Sequence, residues 1–74
     1  MDLLQAPKLV LLKVVSIEHE KLLEDALRFG IEIGECIKII NKLPGGPVVI
    51  QKNEQQIAIG QELAKEIQVK LVSS

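Results

Sequence analysis

The segment CIKIINKLPGGPVVIQ, residues 36–51, carries the clearest signal for the fold class. It predicts an isoleucine-rich strand over Cys36 to Lys42 and a second aliphatic strand over Val48 to Gln51. The Leu-Pro-Gly-Gly-Pro segment between them, residues 43–47, is predicted to be a loop, because two prolines and two glycines do not fit the interior of a strand. Two strands around a short loop indicate an antiparallel hairpin.

The segment before this hairpin predicts a strand followed by a helix. The strand runs from Lys8 to Ile17, and its unbroken apolar run, Leu9 to Leu12, suggests burial on both faces or a bulge. The helix runs from Glu20 to Phe29, with Gly30 as its left-handed cap. The helical spacing that predicts it comes from Leu22, Leu23, Ala26 and Leu27.

The segment after the hairpin completes a five-strand pattern. A turn at residues 52–54 leads to a fourth strand, Gln56 to Ile59. Gly60 to Glu66 has room for one helical turn, and Ile67, Val69 and Leu71 alternate in a closing strand.

Length and composition indicate one small, mainly β domain. The chain has 74 residues, 47% of them apolar, and Phe29 is its only aromatic residue. Curling the sheet buries the aliphatic residues of all strands together, so the prediction is a small, partly open β-barrel of about five strands with one short α-helix after the first strand. The SH3-like barrel and the OB-fold are the two possibilities, and the short hairpin with one helical turn before the last strand favours the SH3-like form. Residues 8–72 form the predicted domain, and residues 1–7 a lead-in.

Charge and composition argue against several classes of partner. One arginine, eight lysines spread along the chain and a net charge of −1 do not favour nucleic acid. The longest apolar run is far shorter than the roughly 20 residues that a membrane helix requires. The opening Met-Asp-Leu-Leu lacks the features of a signal peptide, and the lone Cys36 forms no disulfide within the chain, so a cytosolic location is expected.

Neither a metal site nor catalysis is predicted. His19 stands between Glu18 and Glu20, but three consecutive side chains splay apart and do not converge on one ion. Tight transition-metal sites use three or four convergent ligands, often His or Cys, and this chain has one of each, His19 and Cys36. With a single His and no Thr or Tyr, no activated nucleophile is expected either. The predictions are therefore no cofactor and no enzymatic activity.

The order of these signals resembles a known family. The pattern is leucine, two residues, glycine, aliphatic, two residues, glycine over Leu27 to Gly34, followed by the strand from Cys36 to Ile40. It continues with Gly46 to Ile50, Ile57 to Ile59 and the closing stretch from Ala64 to Val69. Together these segments resemble the FeoA family over Lys8 to Val72.

The resemblance implies a role in bacterial ferrous-iron uptake. FeoA is the small cytosolic companion of the ferrous-iron permease FeoB, so the chain is expected to be an accessory protein that binds the cytosolic part of such a permease. The alternative is a metal-responsive effector or transition-metal-binding module, because the same domain occurs at the C-terminus of repressors of the diphtheria-toxin-repressor type.

The predicted partner contact is the proline-stiffened loop with a lysine on each side. Its residues are Lys42, Leu43, Pro44, Gly45, Gly46, Pro47 and Lys52. Two prolines lower the entropy that the loop loses on binding, and the two lysines are expected to form a small basic patch. A free sheet edge that accepts a partner strand, or a second copy in weak self-association, is the other possibility.

Overall fold

The computed structural model describes residues 1–18 and 20–72, apart from the side chains of residues 21–23. In chain order the elements are β1 (Leu11–Ile17), α1 (Glu20–Arg28), β2 (Cys36–Lys42), β3 (Val48–Lys52), β4 (Gln55–Ile59), α2 (Gln61–Ala64) and β5 (Ile67–Leu71). The predicted bounds of β2 and β5 are confirmed, and those of α1, β3 and β4 differ by one residue at one end.

The five strands form one antiparallel sheet in the order β4-β3-β2-β1-β5. The first strand thus lies between the second and the last, as the expected SH3-like, partly open barrel requires. The β3–β4 hairpin turns at Asn53 and Glu54, where Asn53 has a left-handed φ of 56°. Asparagine tolerates that conformation better than most residues, which explains its place in the turn.

Two register shifts bend this sheet around a single aliphatic core. One lies in β1 between Val14 and Ser16, and the other in β2 between Ile39 and Asn41. A bulge bends its strand and increases the local twist, so the sheet curls onto itself. The side chains enclosed are Leu3, Ala6, Leu12, Val14, Ala26, Ile31, Ile37, Ile39, Val48, Ile50, Ile59, Leu63, Ala64, Ile67 and Val69.

The predicted glycine cap of α1 is confirmed as a Schellman motif. Gly30 has a φ of 82°, and its N–H donates to the Leu27 carbonyl at 3.0 Å. The Ile31 N–H donates to the Ala26 carbonyl at 2.9 Å, and both of these side chains are buried. The two hydrogen bonds and the apolar contact end the helix and turn the chain into the core. The side chains of Leu22 and Leu23, which contributed to the helix prediction, lie outside the described residues.

The first strand begins three residues later than predicted. Leu9 has a left-handed φ of 64°, which interrupts the extended backbone before Leu11. The expectation of burial on both faces is wrong, because Leu9 is 67% exposed and Leu11 46% exposed, whereas Leu12 is fully buried. A bulge does occur in β1, but it lies beyond this apolar run, after Val14.

The first seven residues pack against the domain. Leu3 and Ala6 are fully buried in the core. Asp2 pairs with Gln68 of β5, and the Val69 N–H donates to the Met1 carbonyl at 2.8 Å. The segment expected to be a lead-in therefore covers the outer edge of β5.

Candidate protein-interaction surfaces

The predicted loop forms a tight, exposed turn between β2 and β3. The Gly46 N–H donates to the Leu43 carbonyl at 2.8 Å, and Gly45 has a φ of 69°. Proline at the second position and a left-handed glycine at the third are typical of a type II turn. Leu43 is 45% exposed, and Pro44 and Gly45 are exposed, so the loop presents a small apolar surface of fixed shape.

Lys42 at one end of this loop is directed inward. Its Nζ donates to the Leu4 carbonyl at 2.8 Å and also to the Ala6 carbonyl. Both carbonyls belong to the N-terminal segment, so the Lys42 ammonium fastens that segment to the end of β2.

Lys52 has a similar structural role at the other end of β3. Its Nζ donates to the Gly30 carbonyl and lies 2.9 Å from Glu35 Oε1. The length of β3, about 13 Å at 3.3 Å per residue, separates Lys52 from the Lys42 end of the hairpin. The structure therefore does not bring the two lysines into one free basic patch, and partner contact by the loop stays a prediction.

The residues considered for metal binding do not form a cluster in the described part of the chain. Among residues 1–18 and 20–72, no group of three His, Cys, Asp or Glu side chains is placed to hold an ion. Cys36 is exposed at the start of β2, and His19 lies outside the described residues. No described helix is long and apolar enough to cross a membrane.

One face of the sheet is basic, which no local pattern in the sequence predicts. Among residues 1–18 and 20–72, no acidic residue lies in a strand, whereas the strands carry five lysines: Lys13, Lys38, Lys42, Lys52 and Lys70. The register places Lys13 directly opposite Lys70 on one side and Cys36 on the other, and Leu11 opposite Lys38. Since cross-strand partners share a face, Lys13, Lys38, Lys70 and Leu11 form one surface, the lysine face.

The ammonium groups of the lysine face have no partner in the described part of the chain, unlike those of Lys42 and Lys52. Of the three lysines, Lys38 borders an open groove of about 300 Å³, which is lined by Leu11, Cys36, Ile37, Lys38, Gln51 and Asn53. This surface can be identified only from the strand order and register. The placement of β1 between β2 and β5 brings together lysines that are far apart in the sequence.

The two edges of the sheet differ in how they are covered. Met1 and Asp2 pair with β5, whereas β4 is the last strand at the other end. An open groove of about 490 Å³ runs beside β4, lined by Arg28, Phe29, Gln55, Gln56, Ile57 and Ala58. Self-association through a sheet edge stays a prediction, and β4 is the edge that fits it.

Comparison with known proteins places this fold in a family. The sequence model of the FeoA domain family matches residues 1–71. No curated protein gives a significant match to the sequence.

Solved structures share the fold along nearly the whole chain. Iron(II) transport protein A from Clostridium thermocellum is 27% identical with a TM-score of 0.86, and the match covers 97% of this chain and 46% of that one. An FeoA-like protein from Clostridium acetobutylicum is 25% identical with a TM-score of 0.86, and the match covers 100% of this chain and 88% of that one.

A regulator shows the same fold at lower identity. The manganese regulator SloR is 15% identical with a TM-score of 0.85, and the match covers 97% of this chain and 34% of SloR. The chain thus spans less than half the length of the Clostridium thermocellum protein and about a third of SloR. The family match extends over nearly the whole sequence, and the chain belongs to the FeoA domain family.

Proposed function

We propose that this protein is a cytoplasmic accessory protein of bacterial ferrous-iron uptake that binds the cytosolic part of an FeoB-like iron permease. The observation that carries the proposal is the FeoA domain match over residues 1–71. The similarity to iron(II) transport protein A of Clostridium thermocellum supports the link to iron transport.

The surface chemistry supports recognition of a protein. The Leu43–Gly46 turn holds an exposed leucine and proline in a fixed conformation, so little conformational entropy is lost when a partner covers them. Because Lys42 and Lys52 are engaged within the domain, the proposed contact by this loop is apolar, through Leu43 and Pro44.

The proposed role is binding, not catalysis. The sequence has a single His and neither Thr nor Tyr, which leaves few groups for acid-base or nucleophilic chemistry. We therefore place any control of iron uptake in the contact with the permease.

The second candidate function is a metal-responsive effector module. The fold shared with SloR favours it, since a domain of the same shape occurs within a manganese regulator. At 15% identity this likeness concerns the fold alone, so this candidate ranks below the accessory role.

Binding measurements separate the two candidates. Isothermal titration of the full chain with the cytosolic domain of a ferrous-iron permease, in the presence of a chelator, is expected to show saturable binding. Binding to a DNA-binding metalloregulator that requires Mn(II) or Fe(II), with none to the permease domain, would establish the effector module instead. The variant Leu43→Ser is expected to weaken permease binding, and the exposed Leu27→Ser is its matched control.

A further inference from the structure

We infer that the lysine face, Lys13, Lys38 and Lys70 with Leu11, docks an acidic segment of a partner protein that also carries an apolar side chain. The surface lies on β1, β2 and β5, apart from the Leu43–Gly46 turn. The partner's identity rests on the proposed function, but the chemistry of the surface does not.

The placement of Lys13 and Lys70 is unfavourable for the isolated domain. The two residues are direct cross-strand partners in the β1–β5 ladder. Like charges in that position repel each other and destabilise a sheet, whereas an anionic ligand between them turns the repulsion into attraction. Proteins tolerate such a destabilising pair of like charges mainly at functional sites, where a bound ligand compensates for the repulsion.

The surroundings leave this positive charge unneutralised. In the described part of the chain, the acidic residues all lie outside the strands. Glu35, which precedes Cys36 at the start of β2, is paired with Lys52. Carboxylates from another chain are therefore the complementary ligands, and their pairing with the lysines fixes the position of the docked segment.

An apolar contact distinguishes the surface from a purely electrostatic one. Leu11 is 46% exposed, lies opposite Lys38, and lines the same groove as Gln51 and Asn53. An aliphatic side chain of the partner would bury against Leu11 while acidic residues on either side reach the lysines. Charged groups around a small apolar centre are typical of protein interfaces.

The three lysines are too few for tight binding to an anionic membrane or to DNA. An anionic membrane contributes about 1 kcal/mol per lysine, so three lysines give only millimolar-range attraction. Tight binding to DNA generally draws on about 6–10 phosphate contacts, more than this face offers. An acidic peptide makes ion pairs of similar size with the lysines and adds the apolar contact with Leu11, and this combination favours a protein segment.

The test is fluorescence anisotropy of a short labelled peptide of glutamate and leucine residues, titrated with the full chain at moderate ionic strength. Lys70→Glu is compared with Lys65→Glu, which makes the same charge change at an exposed site at the end of α2. The expected result is about fivefold weaker binding for Lys70→Glu, because the substitution removes one exposed ion pair and puts a repulsive carboxylate in its place. Lys65→Glu should stay within about twofold of the unmodified protein.

The same titration is repeated with a glutamine peptide, with duplex DNA and with phosphatidylserine-containing vesicles. Equal effects of the two variants would overturn the inference, as would equal affinity for a peptide with glutamine in place of glutamate. Tighter binding to duplex DNA or to phosphatidylserine-containing vesicles would overturn it as well. If Lys70→Glu fails to fold, Lys38→Glu takes its place, since its side chain is exposed on the same face.

The same variants separate this inference from the proposed function. If the permease domain binds and Lys70→Glu and Lys65→Glu weaken that binding equally, the docking role of the lysine face is wrong and the proposed function still holds. If Lys70→Glu abolishes binding of the acidic peptide and the permease domain does not bind at all, the lysine face is a docking surface but the proposed permease partner is wrong.

Discussion

The Nζ of Lys42 lies 2.8 Å from the carbonyl oxygen of Leu4, a residue 38 positions earlier in the chain. The same ammonium group also donates to the Ala6 carbonyl. These contacts hold a segment without regular secondary structure against the sheet and keep Leu3 and Ala6 in the core. The N-terminal seven residues are therefore part of the folded domain, and Lys42 is one of the groups that hold them there.

Replacing Lys42 with methionine is expected to lower the free energy of unfolding by about 1–3 kcal/mol, because two partly buried carbonyls lose a charged donor. Lys38→Met is the control, since that side chain is exposed and its effect should stay within about 0.5 kcal/mol. Urea denaturation measures the free energy of unfolding of both variants. Equal stability of the two variants would contradict the structural role of Lys42.

Leu3→Ala is expected to destabilise the protein by about 2–5 kcal/mol, because the Leu3 side chain is fully buried and its removal leaves a cavity. Leu9→Ala removes the same atoms from a side chain that is 67% exposed and should change stability little. The comparison of the two denaturation midpoints tests whether the N-terminal segment belongs to the core. A midpoint for Leu3→Ala close to that of Leu9→Ala would show that it does not.

Gly30→Ala is expected to cost about 1–2 kcal/mol, because a residue with a Cβ is strained at a φ of 82°. The added Cβ would meet Lys52 Nζ at 3.6 Å, an ordinary contact, so the cost comes from the backbone conformation. Gly60→Ala is the matched control, because Gly60 has a φ of −62° and open space around it. Thermal unfolding of the control should show a midpoint close to that of the unmodified protein, because the lower entropy of the unfolded chain offsets the loss of glycine at the N-cap of α2.

Lys70→Glu is expected to raise the free energy of unfolding by about 0.2–1 kcal/mol, because a cross-strand repulsion with Lys13 becomes an attraction. Lys70→Gln removes the repulsion alone and should give a smaller rise. Because Lys70 is exposed to solvent, the difference in stability should shrink when the salt concentration is raised. A loss of stability in Lys70→Glu at low salt would contradict the cross-strand repulsion.

Much of the fold follows from local sequence signals. The strand alternation around Ile37 and Ile39 predicts β2, and Gly30 predicts the end of α1. The N-terminal segment escapes such reasoning, because the burial of Leu3 and Ala6 depends on contacts with β2, α2 and β5 and not on a periodic pattern. The left-handed conformation of Leu9 carries no sequence signal, since leucine rarely adopts it.

The candidate surfaces were harder to predict than the fold. The turn at residues 43–47 is where the prolines and glycines predict it. The directions of Lys42 and Lys52 depend on distant carbonyl groups that no local motif identifies. The lysine face depends on the strand order, which places Lys13 beside Lys70 although the two are 57 positions apart in the sequence.

The most direct test of the proposed function is an NMR titration of the ¹⁵N-labelled chain with the cytosolic domain of a ferrous-iron permease, with ferrous iron alone as the comparison. We expect saturable amide shift changes that include Leu43, Gly45 and Gly46 with the permease domain, and none with iron alone. No shift change with the permease domain would contradict it. So would changes that appear only with iron, around Glu18, Glu20 and Cys36.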